Sequence, residues 1–129
     1  MNMAAPLTPN SLQEPNMKRV EAVIRPEKLE LLRVELEHVG YPGIMVSEVR
    51  GHGKQRGLTQ QWRGTEYKEY FLPKVRVEII VMEKEVKKIV DAIVEVCRTK
   101  TVGDGKIFIS TVDEVVRIRT GELNETAVA

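Results

Sequence analysis

The string Arg50-Gly51-His52-Gly53-Lys54-Gln55-Arg56-Gly57 sets three glycines among basic and amide side chains. Glycine lets the backbone come close to a ligand and take up positive φ, and Lys54 and Arg56 add positive charge, so the stretch reads as an anion cradle. A second cluster, Gly103-Asp104-Gly105-Lys106, reads in two ways. It is either a helix C-cap followed by a tight turn, or a set of free amides with a point charge turned toward an anion. Near it, Arg117 and Arg119 stand two apart in a predicted strand, so both side chains leave one face about 6.5–7 Å apart. That spacing suits adjacent phosphates; it equally suits a solvated strand end with surface ion pairs of small energetic weight. Arginine forks grip phosphate oxygens bidentately and Lys106 adds a charge, so together these groups suit a triphosphate.

Other chemistries find less support. Neither glycine cluster is a GxxxxGK[ST] loop, and no GxGxxG opens a helix after a strand, which removes the usual nucleotide folds. His38 and His52 are too few and too scattered for a zinc site. Asp104 and Glu78 have no nucleophile or third group beside them, so no catalytic residue is assigned. Cys97, the single cysteine, reads as helix core and fits a reducing compartment. Trp62, Arg63 and Tyr67 stand together in a long polar segment that reaches Tyr70, as aromatic and arginine side chains do at a partner-binding tip; the Tyr67 hydroxyl is a plausible modification site.

A formal net charge of +1 over 129 residues gives no global field for nucleic acid or an anionic membrane. Residues 1–16, with Pro6, Pro9 and Pro15, lack the basic flank and apolar run of a signal peptide and read as a disordered extension before one domain over 17–129. With no apolar run near the roughly 20 residues of a spanning helix, a soluble, cytoplasmic protein is expected.

The elements that must position these groups follow from periodicity. Val20, Ala22 and Ile24 alternate with Arg19, Glu21 and Val23, predicting a strand over Lys18–Arg25. Pro26, acidic Glu27 and Glu30, a Leu29/Leu32/Leu36/Val39 face and Gly40 predict a helix over Pro26–Val39. A strand at Ile44–Val49 has no buried face legible from alternation. After the long loop, Val75, Val77, Ile79 and Val81 predict a third strand, Lys84–Arg98 a second helix, and Lys106–Val112 a fourth strand that Val115–Arg119 extends or continues. The order βαββαβ predicts an α+β ferredoxin-like sandwich, an antiparallel four-stranded sheet with two helices on one face. Because helices cover only one face, the apolar run Ile79-Ile80-Val81-Met82 predicts an oligomer.

Taken in order, Glu48-Val49-Arg50-Gly51, Gly53-Lys54-Gln55-Arg56-Gly57, Arg63-Gly64-Thr65-Glu66-Tyr67, Phe71-Leu72-Pro73-Lys74, Gly103-Asp104-Gly105-Lys106-Ile107-Phe108 and Val116-Arg117-Ile118-Arg119-Thr120-Gly121 resemble the PII nitrogen-regulatory signal-transduction family over Met17 to about Glu122. The resemblance implies a homotrimer with a protruding T-loop, roughly Gly53 to Tyr70, and three intersubunit clefts where ATP and ADP compete. Gly51, Gly53, Lys54, Gly103, Asp104, Gly105, Lys106, Arg117 and Arg119 would line the phosphates, with Glu78 and Ile80 nearer the base. Gln55 would meet Mg²⁺ and 2-oxoglutarate, and the 2-oxoglutarate site would also draw on Arg56, Gly57, Lys74 and Gly103. Through Trp62 and Arg63 the loop would engage an ammonium transporter of the cytoplasmic membrane, and glutamine synthetase is a further partner; Tyr67 matches a uridylylated tyrosine. Lys54 and Trp62 depart from the family pattern, the former losing an arginine fork. A nucleotide phosphotransferase and a single-stranded RNA module are the alternatives on the same fold; the former lacks a well-placed histidine and the latter the sheet aromatics that stack bases.

Overall fold

The computed structural model describes residues 16–41, 43–52, 58–62, 65–69 and 71–129. Strand β1 (Met17–Ile24) is followed by helix α1 (Leu29–His38), β2 (Met45–Gly51), a short pair β3 (Leu58–Trp62) and β4 (Thr65–Glu69), β5 (Leu72–Met82), helix α2 (Val86–Cys97), β6 (Lys106–Val112) and a last turn of helix α3 (Asn124–Val128). Each long helix is entered through a 3-10 turn, Pro26–Lys28 and Glu83–Glu85. Pro26 takes a first position, where its missing N–H would have had no helical partner anyway. Gly40, at φ +102°, ends α1 as expected: Tyr41 N donates to Leu36 O and Gly40 N to Glu37 O, so the last carbonyls find partners.

The main sheet runs β2-β5-β1-β6, antiparallel throughout, with Val20 opposite Ile79 on one side and Ile109 on the other. Alternation decides its core. Val20, Ala22 and Ile24 from β1 and Val75, Val77, Ile79 and Val81 from β5 are buried against Leu32 and Leu36 of α1 and Ile89, Ala92, Ile93 and Cys97 of α2. Burying each large aliphatic side chain here contributes about 1.5–3 kcal/mol. The predicted α+β ferredoxin-like architecture is the one observed.

The opposite face is polar at its centre. Glu21 and Glu78 stand directly across from one another, a pairing that would destabilise by itself. Arg19 Nε lies 3.2 Å from Glu78 and Arg76 Nε 3.0 Å from Glu21, so each carboxylate meets a guanidinium on the neighbouring strand.

Two expectations need correction. The segment between β2 and β5 is not structureless, because β3 and β4 pair antiparallel with Trp62 opposite Thr65 and Gln60 opposite Tyr67. Residues Val115–Arg119 do not extend β6. A single bridge joins Val116 to Leu123, Arg117 N donates to Glu122 O at 2.9 Å, and Gly121 N returns to Arg117 O at 2.7 Å. Gly121, at φ +73°, lets this short stretch fold back on itself, so Arg117 and Arg119 do not share a strand face. Ile79 and Val81 of the apolar run are covered by the helices, and Val128 and Ala129 border the same cavity as Ile80 and Met82.

Candidate functional site

The two clusters read as anion-binding meet at one end of the sheet. Antiparallel pairing sets Gly51 of β2 opposite Leu72 at the start of β5, two residues before Lys74, and sets Lys106 of β6 opposite Val23 near the end of β1. A cavity of about 590 Å³ opens between them, lined by Gly51, His52, Lys74, Gly103, Asp104, Gly105 and Lys106 with Val23, Thr101, Val102 and Phe108. That volume falls within the roughly 300–1,000 Å³ usual for small-molecule sites.

Lys74 bridges the two halves. Its Nζ donates to the carbonyl of Gly103 at 2.8 Å. Burial, reinforced by the Arg25 cation, lowers its pKa, with Glu27 and Asp104 pulling the other way. A partly desolvated ammonium at the wall of a cavity suits a carboxylate or phosphate ligand.

The glycine loop is shaped from within by Asp104. Its carboxylate accepts from the Thr99 hydroxyl, from Thr99 N at 2.7 Å, from Lys100 N at 2.8 Å and from Arg25 Nε at 3.1 Å. These donors, the Thr99 hydroxyl foremost, hold the Asp104 carboxyl well below the usual carboxylate range. Asp104 lines the cavity as expected, yet its charge is turned inward to the loop, which leaves the backbone and Lys106 to face a ligand. Gly105 could be no other residue: at φ +97°, a Cβ there would lie 1.7 Å from Val23 O. The cluster is therefore both a turn and a cavity wall.

Four expected site residues lie elsewhere in this protomer. Glu78 and Ile80 follow Lys74 along the same face of β5, Ile80 about 20 Å away at some 3.3 Å per residue. Ile80 borders the separate cavity beside Tyr41 and the chain end. Arg117 is held by that end, donating from Nη2 to Ala129 O at 2.6 Å and Ala127 O at 3.3 Å, with Glu122 3.8 Å from its Nε. Arg119 is exposed in the turn over residues 118–120. Gly53, Lys54, Gln55, Arg56, Gly57 and Arg63 lie outside the described residues. Sequence reading missed His52, whose ring sits 5.6 Å from that of Phe71 at the cavity edge, and Arg25, a lone arginine before a proline with no motif to mark it.

The family model for nitrogen regulatory protein P-II matches residues 17–122. The chain belongs to the P-II family. It is 54% identical over 112 residues to a nitrogen regulatory protein P-II of Microchaete diplosiphon, covering 87% of this chain and all of that relative. To nitrogen regulatory protein P-II 2 of Methanothermobacter thermautotrophicus it is 52% identical over 112 residues, covering 87% of this chain and 97% of the relative. Among solved structures, Arabidopsis thaliana PII bound to citrate aligns over 91% of this chain and 94% of its own, with a TM-score of 0.72 and 34% identity. No helix of the described residues is long and apolar enough to cross a membrane.

Proposed function

We propose that this P-II protein is a non-enzymatic sensor of ATP, ADP and 2-oxoglutarate, built as a homotrimer of residues 17–129, that regulates nitrogen assimilation through its T-loop. The observation that carries the reading is the convergence of Gly51, Lys74 and the Gly103–Lys106 loop on one cavity, two cationic side chains and a glycine-rich backbone drawn from three separate stretches of the chain. A citrate-bound plant relative adds that a P-II protein accepts a small polycarboxylate.

In this reading the cavity is one protomer's half of an intersubunit cleft. Lys106, the amides of Gly103 and Gly105, Gly51, Gly53 and Lys54 hold the phosphates from one side. Arg117 and Arg119, with Glu78 and Ile80, reach the nucleotide from the adjoining subunit, which accounts for their distance from the cavity within one chain. Lys74 and Gly103 receive 2-oxoglutarate together with Gln55, Arg56 and Gly57. Gln55 would give an amide oxygen to a Mg²⁺ that arrives on the ATP phosphates, the octahedral oxygen-rich site this ion prefers. Phosphate oxygens of the nucleotide would complete such a site.

Binding at the base of the T-loop then shifts the loop between partner-competent and partner-excluded shapes, with no covalent step. The partners are an ammonium transporter, met through Trp62 and Arg63, and glutamine synthetase, with Tyr67 open to modification. The protein is cytoplasmic and joins the membrane only through the transporter. Calorimetric titration with 2-oxoglutarate tests the ordered site: saturable heat is expected with MgATP present and none without it, and heat independent of MgATP contradicts it.

A further inference from the structure

We propose that Arg25 is the positioning residue of the anion-binding loop: a side chain outside the cavity that fixes the conformation in which the Gly103–Lys106 backbone meets its ligand. The proposal rests on the reading of that loop as a phosphate site.

Arg25 closes β1 and precedes Pro26, so its backbone is fixed on both sides, extended at φ −65° and ψ 137°, with its carbonyl accepting from Lys28 N. The side chain, only 16% exposed, reaches across to a segment more than seventy residues away and meets it at three points. Nε donates to Asp104 Oδ1 at 3.1 Å, and Nη2 donates to Thr101 Oγ1 at 2.9 Å and to Val102 O at 2.7 Å. A planar guanidinium can make such a fork with little further loss of freedom; a lysine ammonium on a flexible stem cannot reproduce its geometry.

What the fork holds is a loop with one residue in an unfavourable conformation among glycines that accept theirs freely. Lys100 has φ +69° without being glycine, and Gly103 and Gly105 lie at +108° and +97°. A left-handed non-glycine residue costs about 1–2 kcal/mol and persists only where its surroundings fix it. Asp104 fixes it from inside by accepting from Lys100 N, and Arg25 fixes Asp104. The carbonyl of Val102 accepts from Arg25 and that of Gly103 from Lys74, so both acceptors are already engaged. Carbonyl oxygens facing a phosphate would repel it. Arg25 thus shapes the anion site by occupying one acceptor and holding the loop still, from outside the cavity lining.

The test uses the full chain and MgATP. Arg25→Gln should weaken MgATP binding by about tenfold or more, the scale at which partners of ligand-contacting groups act. In the free protein, amide hydrogen exchange at Gly103 and Gly105 should quicken, while core amides of β1 and β5 stay protected. Arg25→Lys should recover part of the affinity. Should Arg25→Gln fail to fold, Thr101→Val removes one of the three anchors and should show the same two changes in smaller measure. Unchanged MgATP affinity in Arg25→Gln, or lost affinity with unaltered exchange in the loop, overturns the proposal. Failure of the wild-type chain to bind MgATP overturns instead the functional reading on which it rests.

Discussion

Lys74 Nζ and the carbonyl of Gly103 lie 2.8 Å apart, joining the start of β5 to a loop 29 residues later in the chain. This contact leaves the ammonium partly desolvated at the cavity wall, where a carboxylate can replace the carbonyl as its partner. Lys74→Met should abolish the heat of 2-oxoglutarate binding in the presence of MgATP while leaving MgATP binding measurable. The loss in stability should be about 1.5 kcal/mol, the lower end for a hydrogen bond to a charged group, because Lys74 is only partly buried.

Gly105→Ala and Gly121→Ala make a matched pair, since both glycines have positive φ, +97° and +73°. At Gly121 nothing lies within 4 Å of the added Cβ, so the cost is the backbone preference alone, about 1 kcal/mol. At Gly105 the methyl would meet Val23 O at 1.7 Å, and β1 or the loop must move. Urea denaturation should therefore show a loss of at least about 3 kcal/mol for Gly105→Ala, and MgATP affinity should fall with it.

Asp104 has a depressed pKa in the fold, its Thr99, Arg25 and Lys100 donors all favouring the charged form. Its contribution to stability is complete above the ordinary aspartate value of 3.8 and is lost as pH falls below that value toward the folded-state pKa. Asp104→Asn should accordingly lower stability at neutral pH and flatten the acid limb of the stability-pH curve, measured by thermal denaturation between pH 2 and 7.

Burial pushes the Cys97 thiol up to about 11, and the side chain is almost fully enclosed in the core. The thiolate, the reactive form, is then scarce and inaccessible at neutral pH. A thiol reagent should label Cys97 only at the rate of unfolding, and labelling should become immediate in denaturant.

Arg119 is exposed in its turn, while Arg117 holds the carbonyls of Ala127 and Ala129. Arg119→Ala should change stability by no more than about 0.5 kcal/mol, as surface substitutions do. Its MgATP affinity should still fall by about tenfold, on the order of one charge-assisted hydrogen bond. Arg117→Ala should reduce both.

Much of this was legible in sequence where one period dominated. The alternation in β1 and the 75–81 series of β5 marks a strand buried on one face, and the Leu32/Leu36 and Ile89/Ile93/Cys97 rows mark the helices. Strand β2 was not legible in its buried face because it is an edge: Met45 and Val46, on opposite faces, are both about half exposed. The β3–β4 pair was hidden by its polar, charged composition, which lacks an alternating apolar series. Val115–Arg119 carried strand-forming residues, but Gly121 and the Thr120 hydroxyl, which accepts from Glu122 N, turn the chain first. Of the candidate site, the Gly103–Lys106 cluster was visible because glycine suits the positive φ of residues 103 and 105. Arg25 was not, because its role depends on three partners from 76 to 79 positions away.

The central claim is that the Gly103–Lys106 loop of one protomer shares a nucleotide's phosphates with Arg117 and Arg119 of another. A crystal structure of the protein grown with MgATP tests it most directly. The account predicts a trimer with nucleotide at each seam, phosphates against Gly105 and Lys106 of one subunit and the two arginines of its neighbour. A monomer, an empty seam, or nucleotide bound away from this loop would contradict it.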